Sequence, residues 1–224
     1  AMHRTIAVAI ASTSLLLAGA ASAQEFADRG TLSFAGDRLF GLYRTHVEVD
    51  PDSDLNADLD VDGTEIGFLW QANTMTPYTV PRLSVDYFVI DHLSVGGSIG
   101  YTSGSWDDGN DDFDGSAFLF APRVGGAWMF NDWAGIWPRG GVTYYALEGG
   151  LTSGLGGDTD VSVLALDVEA AFVLSPADGF AFTVGPAFDI GLVGEWDPPG
   201  RGDTDLNMYG IGFLTVGVLG YLNL

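Results

Sequence analysis

Arg82-Leu83-Ser84-Val85-Asp86-Tyr87-Phe88-Val89 decides how this chain is read. Arg82, Ser84 and Asp86 fall on one parity; Leu83, Val85, Tyr87 and Val89 fall on the other. Side chains of a β-strand alternate between two faces, so the segment predicts a strand with one charged face and one large apolar face. The split recurs in Phe118 to Trp128, where Arg123 lies with Ala121, Gly125 and Ala127, opposite Phe118, Phe120, Val124 and Trp128. In Val161 to Leu174, Asp167 and Glu169 lie with Ala165 and Ala171, against Leu164, Leu166, Val168 and Phe172. A soluble barrel turns its large apolar face inward. A barrel in a bilayer turns it outward to lipid and keeps the charges in the lumen.

The beginning of the chain agrees with export. Met2-His3-Arg4 is a short basic start, Ile6 to Ala18 is an apolar run broken only by Ser and Thr, and Ala21-Ser22-Ala23 offers a small-residue cleavage site. This is the pattern of a secretory signal peptide over residues 1–23, which leaves 24–224 as a mature barrel domain. No later stretch reaches the roughly 20 apolar residues that a spanning helix needs.

Composition narrows the functions. Gly is 32 of 224 residues, and cysteine is absent, which removes disulfide and thiol chemistry. All basic residues are arginine; without Arg4 the balance is 7 against 30 acidic residues, a net of −23. Such a surface repels nucleic acid and attracts divalent cations or basic partners.

Connections alternate in length. Ile90-Asp91-His92-Leu93, Asn131-Asp132 and Ser175-Pro176-Ala177-Asp178-Gly179 are tight, whereas residues near 47–79, 104–115, 147–160 and 194–205 form long links rich in Asp, most of them also rich in Gly. Short turns at one end and long loops at the other mark transmembrane barrels. Counting between these landmarks gives strands near 31–46, 80–89, 94–103, 116–130, 133–146, 161–174, 180–193 and 206–223, an all-β, eight-stranded antiparallel up-and-down transmembrane β-barrel. Thr64 to Trp70 reads as an extension of the rim inside the first long link, with Pro77 and Pro81 interrupting the ladder after it; ten strands is the alternative. Aromatics sort into two girdles: Tyr87, Trp128, Phe130, Trp133, Phe180 and Tyr221 by the short turns, and Trp70, Tyr101, Trp106, Phe118, Tyr144 and Trp196 by the long loops.

Asp37-Arg38-Leu39-Phe40-Gly41, Pro81 to Phe88 and Leu93-Ser94-Val95-Gly96-Gly97-Ser98 resemble the outer membrane protein beta-barrel domain group, and the plan is similar to the small OmpA and OmpX barrels. The resemblance implies residence in the cell outer membrane of a Gram-negative bacterium, contact with its lipid and lipopolysaccharide, insertion by the barrel assembly machinery, and a monomer. Chains of this group commonly end in Phe; this one ends Tyr221-Leu222-Asn223-Leu224, where Leu222 and Leu224 keep an apolar alternation.

Pooling the inward parity gives Arg82, Asp86, Arg123, Arg139, Asp167, Glu169 and Asp189 as a lumenal ion-pair network, three positive against four negative. Buried charges persist when paired, and arginine suits the role through its planar fork. An eight-strand barrel is only just wide enough for side chains to fill it, so the network reads as a plug. The sharper alternative is a narrow solute pore gated by exchange of arginine partners.

Acidic residues crowd the long links. Asp58-Leu59-Asp60-Val61-Asp62-Gly63 matches the first half of a calcium loop, with Asp58, Asp60 and Asp62 as weak Ca²⁺ ligands, but the twelfth position is Leu69 rather than Glu. A solvated acidic face explains the run more simply, since acidic loops are cheap to solvate. No cofactor is otherwise expected. Catalysis finds little support: of the mature histidines, His46 falls near the outer rim and His92 in a short turn, and no Ser/His/acid constellation is visible for a lipid A acyltransferase or hydrolase. Clustered His or Cys ligands for zinc are missing too. The expectation is a non-enzymatic structural or surface-interaction barrel, with the pore as its alternative.

Overall fold

The computed structural model describes residues 26–50, 59–68, 80–107, 112–149, 160–197 and 204–224. Ten strand segments follow in chain order: β1 (Thr31–Asp50), β2 (Leu59–Phe68), β3 (Arg82–Ile90), β4 (Leu93–Asp107), β5 (Asp112–Gly126), β6 (Trp128–Asn131), β7 (Ala134–Gly149), β8 (Asp160–Ala177), β9 (Phe180–Asp197) and β10 (Thr204–Asn223). They make eight staves. β2 and β3 run down the same side of β1, β2 along Phe40 to Val49 and β3 along Leu32 to Asp37, so together they form one stave. β6 continues β5 against β7, after a break at Gly126-Ala127. That break falls opposite Pro138, which has no N–H to donate, and the Ala127 N–H donates to His92 O instead.

All pairings are antiparallel, and β10 pairs β1 from Thr31↔Asn223 to Asp50↔Asp205, which closes the sheet. Closure leaves no sheet edge across the first and last staves. The expected rim extension is β2: it pairs with β1 rather than spanning on its own, and Leu69 and Trp70 lie outside the described residues.

Alternation holds along the wall. On β3, Arg82, Ser84, Asp86 and Phe88 are buried while Leu83, Val85, Tyr87 and Val89 are exposed. Phe118, Phe120, Val124, Leu164, Leu166, Val168, Phe172, Phe182, Phe188 and Ile190 are likewise exposed on other staves. The outer surface is therefore a continuous apolar belt, the arrangement that lipid stabilises and water does not. Tyr87, Trp128, Phe130, Trp133, Tyr101, Phe118 and Tyr144 stand on it, as the girdles require. Two girdle residues belong elsewhere. Tyr221 is buried inside the barrel, and Trp196 packs against the inward cluster of Val163, Ala165, Leu206 and Met208. Nearness in sequence to a turn, for Tyr221, and to a long loop, for Trp196, misplaced them; Tyr221 shares the parity of the buried Leu219.

The interior is stacked in three layers, by strand position. At the short-turn end lies an apolar floor of Phe26, Phe88, Trp137, Val173, Leu219 and Tyr221. Toward the long loops lie two apolar clusters, one around Leu119, Tyr145, Leu147 and Val80, the other around Val163, Leu206 and Met208. Between them sit the charges.

Candidate functional site

Six staves contribute to the charged layer. β1 supplies Asp37 and Arg38, β3 supplies Arg82 and Asp86, β5 Arg123, β7 Arg139, β8 Asp167 and Glu169, and β9 Asp189. None of these nine residues is more than 6 % exposed. All seven residues singled out from sequence are thus brought into one layer. Asp37 and Arg38 join them unannounced.

Strict alternation hid that pair, because neighbours on a regular strand point to opposite faces. β1 departs from regularity there: its register against β10 slips between Gly36 and Phe40, and Arg38 has φ of 55°. The bulge turns Asp37 and Arg38 to the same side. A tandem Asp-Arg flanked by Gly36 and Gly41 was the available signal.

The contacts divide into two knots joined by one residue. In the first, Arg38 Nη1 lies 2.6 Å from Asp189 Oδ2 and its Nη2 3.1 Å from Asp167 Oδ1. Arg82 Nη1 reaches Asp167 Oδ2 at 2.8 Å, and its Nη2 lies 3.5 Å from Asp189 Oδ1. Asp167 and Asp189 face each other across β8 and β9, so two like charges are held by two shared guanidiniums. In the second knot, Arg123 grips Asp86 with its fork, Nε to Oδ1 at 3.0 Å and Nη2 to Oδ2 at 2.6 Å. Its Nη1 donates to Asp37 Oδ2 at 2.7 Å, and Arg139 Nη2 lies 3.3 Å from Asp37 Oδ1.

Glu169 is the joint. Its Oε1 accepts from Arg38 Nη2 at 3.1 Å, and its Oε2 lies 2.6 Å from Arg139 Nη2. Below it, the Arg139 guanidinium sits 4.6 Å from the centre of the Trp137 ring, and Trp137 Nε1 donates to Ser94 Oγ at 3.1 Å. The ion layer therefore rests on the aromatic floor through a cation–π contact.

Charge-assisted, forked contacts of this kind are the strong ones, and the low dielectric of a buried site strengthens them further. The same burial makes them interdependent: removing one partner of a buried pair costs about 3–5 kcal/mol. Chemically, the layer can hold the staves in register and occupy the lumen.

The other candidates lie apart from it. His46 is on the outward face of β1, with Nδ1 3.4 Å from Asp62 Oδ1 and its ring stacked 4.6 Å from that of Tyr209. Thr45 faces inward, so the Thr beside His46 in sequence is on the other side of the wall. His92 sits in the β3–β4 turn, where Nδ1 lies 3.0 Å from Ala127 O. Of the calcium candidates, Asp58 lies outside the described residues, while Asp60 and Asp62 stand on β2 opposite Glu48 and His46. Asp62 also lies 3.7 Å from Arg44 Nη2. Among the described residues no three potential metal ligands come together.

These features define a class: a small closed β-barrel built inside out, apolar where it meets its surroundings and charged at its centre. No family model matches the chain, and no curated protein sequence matches it. Among solved structures it is similar to Neisserial surface protein A, with a TM-score of 0.47 and 12% identity over 85% of this chain and 96% of that one. It is similar to Ail, the attachment invasion locus protein of Yersinia pestis, with a TM-score of 0.39 and 14% identity over 85% of this chain and 99% of that one. OprG of Pseudomonas aeruginosa gives a TM-score of 0.41 and 12% identity over 87% of this chain and 95% of that one. Identities this low say nothing of activity.

Proposed function

We propose that the protein is an outer-membrane barrel that anchors and presents acidic loops at the cell surface, with a lumen closed to solutes. The observation that carries this reading is the ion layer, in which nine buried charged side chains from six staves meet one another across the bore. An eight-stave barrel has no width to spare once such side chains fill it. Apolar layers on both sides of the charges leave little for a hydrated solute to follow.

The apolar belt supports a place in a bilayer, and the secretory start of the chain supports export to a Gram-negative outer membrane. The short-turn end then faces the periplasm. On the opposite rim, Glu48, Asp62, Glu148, Asp160, Glu195, Asp197 and Asp205 are exposed on the strand ends. A rim of this sign suits divalent cations, the cation-bridged headgroups of lipopolysaccharide, or basic partners.

Planar-bilayer recording of the refolded protein tests the reading. The expected result is no discrete channel, in the wild type and at every holding potential. Steady openings whose size changes with Arg123→Ala would replace it with the gated pore. A heat-modifiability gel on purified outer membranes tests the location, since a folded barrel and its boiled form migrate differently.

A further inference from the structure

Residues 26–30 come before the first strand and have no strand periodicity, yet they enter the barrel. Positive φ at Ala27 (88°) and Gly30 (91°) folds the segment back on itself, and Phe26 and Ala27 are buried at 2 % and 1 % exposure. Arg29 stays outside, its N–H donating to Asp91 Oδ1 at 2.9 Å. Gly30 N donates to Phe88 O at 2.9 Å, His92 N to Ala27 O at 2.8 Å and Leu224 N to Gly30 O at 3.1 Å. The segment is tied at the short-turn end to both neighbours of β1, to β3 and its turn and to the residue after β10.

The seat of the Phe26 ring is made by the staves. Phe88 of β3, Trp137 of β7 and Tyr221 of β10 each meet it edge to face, at 5.3, 5.2 and 5.3 Å between centroids. These three rings are held by contacts that do not involve Phe26. Trp137 is fixed by Ser94 and Arg139, the Tyr221 hydroxyl lies 3.0 Å from Ser175 Oγ, and Phe88 packs on Trp137 at 5.8 Å. A lining fixed in this way persists when its occupant leaves, and an apolar cavity so lined stays dry and takes up small apolar molecules.

We propose that the short-turn mouth of the barrel is a binding socket for an aromatic side chain and that Phe26 is its resident ligand, so that Phe26–Gly30 acts as a stopper sealing that mouth independently of the ion layer. The class of ligand is an aromatic ring carried on a short folded-back segment. Edge-to-face geometry on three sides selects a flat ring over an aliphatic group of similar volume. The proposal goes beyond the anchoring role: channels in a planar bilayer would overturn the closed lumen and the seal together, whereas the labelling below reads the socket by itself.

The chain has no cysteine, so Ala35→Cys, inward-facing in the floor cluster, places a single thiol behind the stopper. The full mature chain carrying it is refolded into lipid vesicles, with and without Phe26→Ala, and labelled with a small charged methanethiosulfonate reagent. Labelling is expected to be at least about tenfold faster in the Phe26→Ala background, the loss of contact free energy opening the mouth by that ratio. Indole, which fits the vacated seat, is expected to slow labelling of that variant and to leave the Phe26 chain unaffected. Equal rates in the two backgrounds, or indole acting alike on both, would overturn the proposal. Should Phe26→Ala lose the folded band on a heat-modifiability gel, Phe26→Leu takes its place and the rates are read in the same way.

Discussion

Arg38 follows Asp37 directly in the chain, yet the two side chains share the barrel interior and serve different knots. Asp37 takes Arg123 and Arg139, while Arg38 takes Asp167, Glu169 and Asp189. One bulge in β1 thus delivers a carboxylate to one half of the layer and a guanidinium to the other.

Arg38→Met tests how far the layer depends on that bulge. It leaves Asp167 and Asp189 sharing Arg82 in the first knot and frees one side of Glu169. The expected loss is about 3–5 kcal/mol, because uncompensated carboxylates stay buried. Urea titration of the vesicle-inserted barrel measures it. Adding Asp189→Asn removes one of the stranded charges and is expected to recover part of the loss; a double variant as weak as the single one would count against a charge origin.

Gly125 is where the wall makes room for the floor. A Cβ there would stand 2.6 Å from Trp137 Nε1 and 2.8 Å from Ser94 Oγ, the two atoms that share a hydrogen bond. Gly125→Ala is expected to cost about 1–3 kcal/mol, the usual range for overpacking. Gly140→Ala is the control, since the nearest atom is Asp167 O at 3.7 Å. Thermal midpoints of the folded band compare the two. Equal midpoints would mean that the floor yields more readily than its geometry implies.

Val85 sits in the lipid-facing belt of β3, 46 % exposed, between the inward Ser84 and Asp86. Val85→Arg puts a charge into hydrocarbon and is expected to cost about 2–4 kcal/mol near the bilayer midplane, less toward an interface. Refolding yield and urea midpoint in vesicles read it out, with Val85→Leu expected to match the wild type. A neutral Val85→Arg would contradict the assignment of faces.

Much of this was legible because the signal has period two. Once Arg82, Arg123 and Glu169 fixed the inward parity, the remaining lumenal charges on regular strands followed by counting. Eight staves followed from the short turns; of β2, Thr64 to Phe68 was legible as rim ahead of Pro77 and Pro81, while Leu59 to Gly63 resembled the start of a calcium loop. Counting fails wherever the chain stops being periodic. The bulge at Arg38 needs a positive φ that no parity rule contains, and Phe26 lies ahead of the first strand, where tertiary burial alone makes an interior residue of it. Tyr221 was misplaced for another reason: an aromatic near a turn can stand on either face, and only its register against Ser33 and Gly179 tells which.

A wall one residue thick has a consequence for how such a sequence can drift. Outward positions such as Leu83, Val85 and Phe120 meet a fluid that has no fixed shape, so any side chain of sufficient oiliness serves there. Inward positions such as Asp86, Arg123 and Trp137 each answer to particular atoms on other staves. Tolerance to substitution is then expected to switch on and off at every residue along each strand. At Asp37 and Arg38 that rhythm breaks, leaving two intolerant sites in a row.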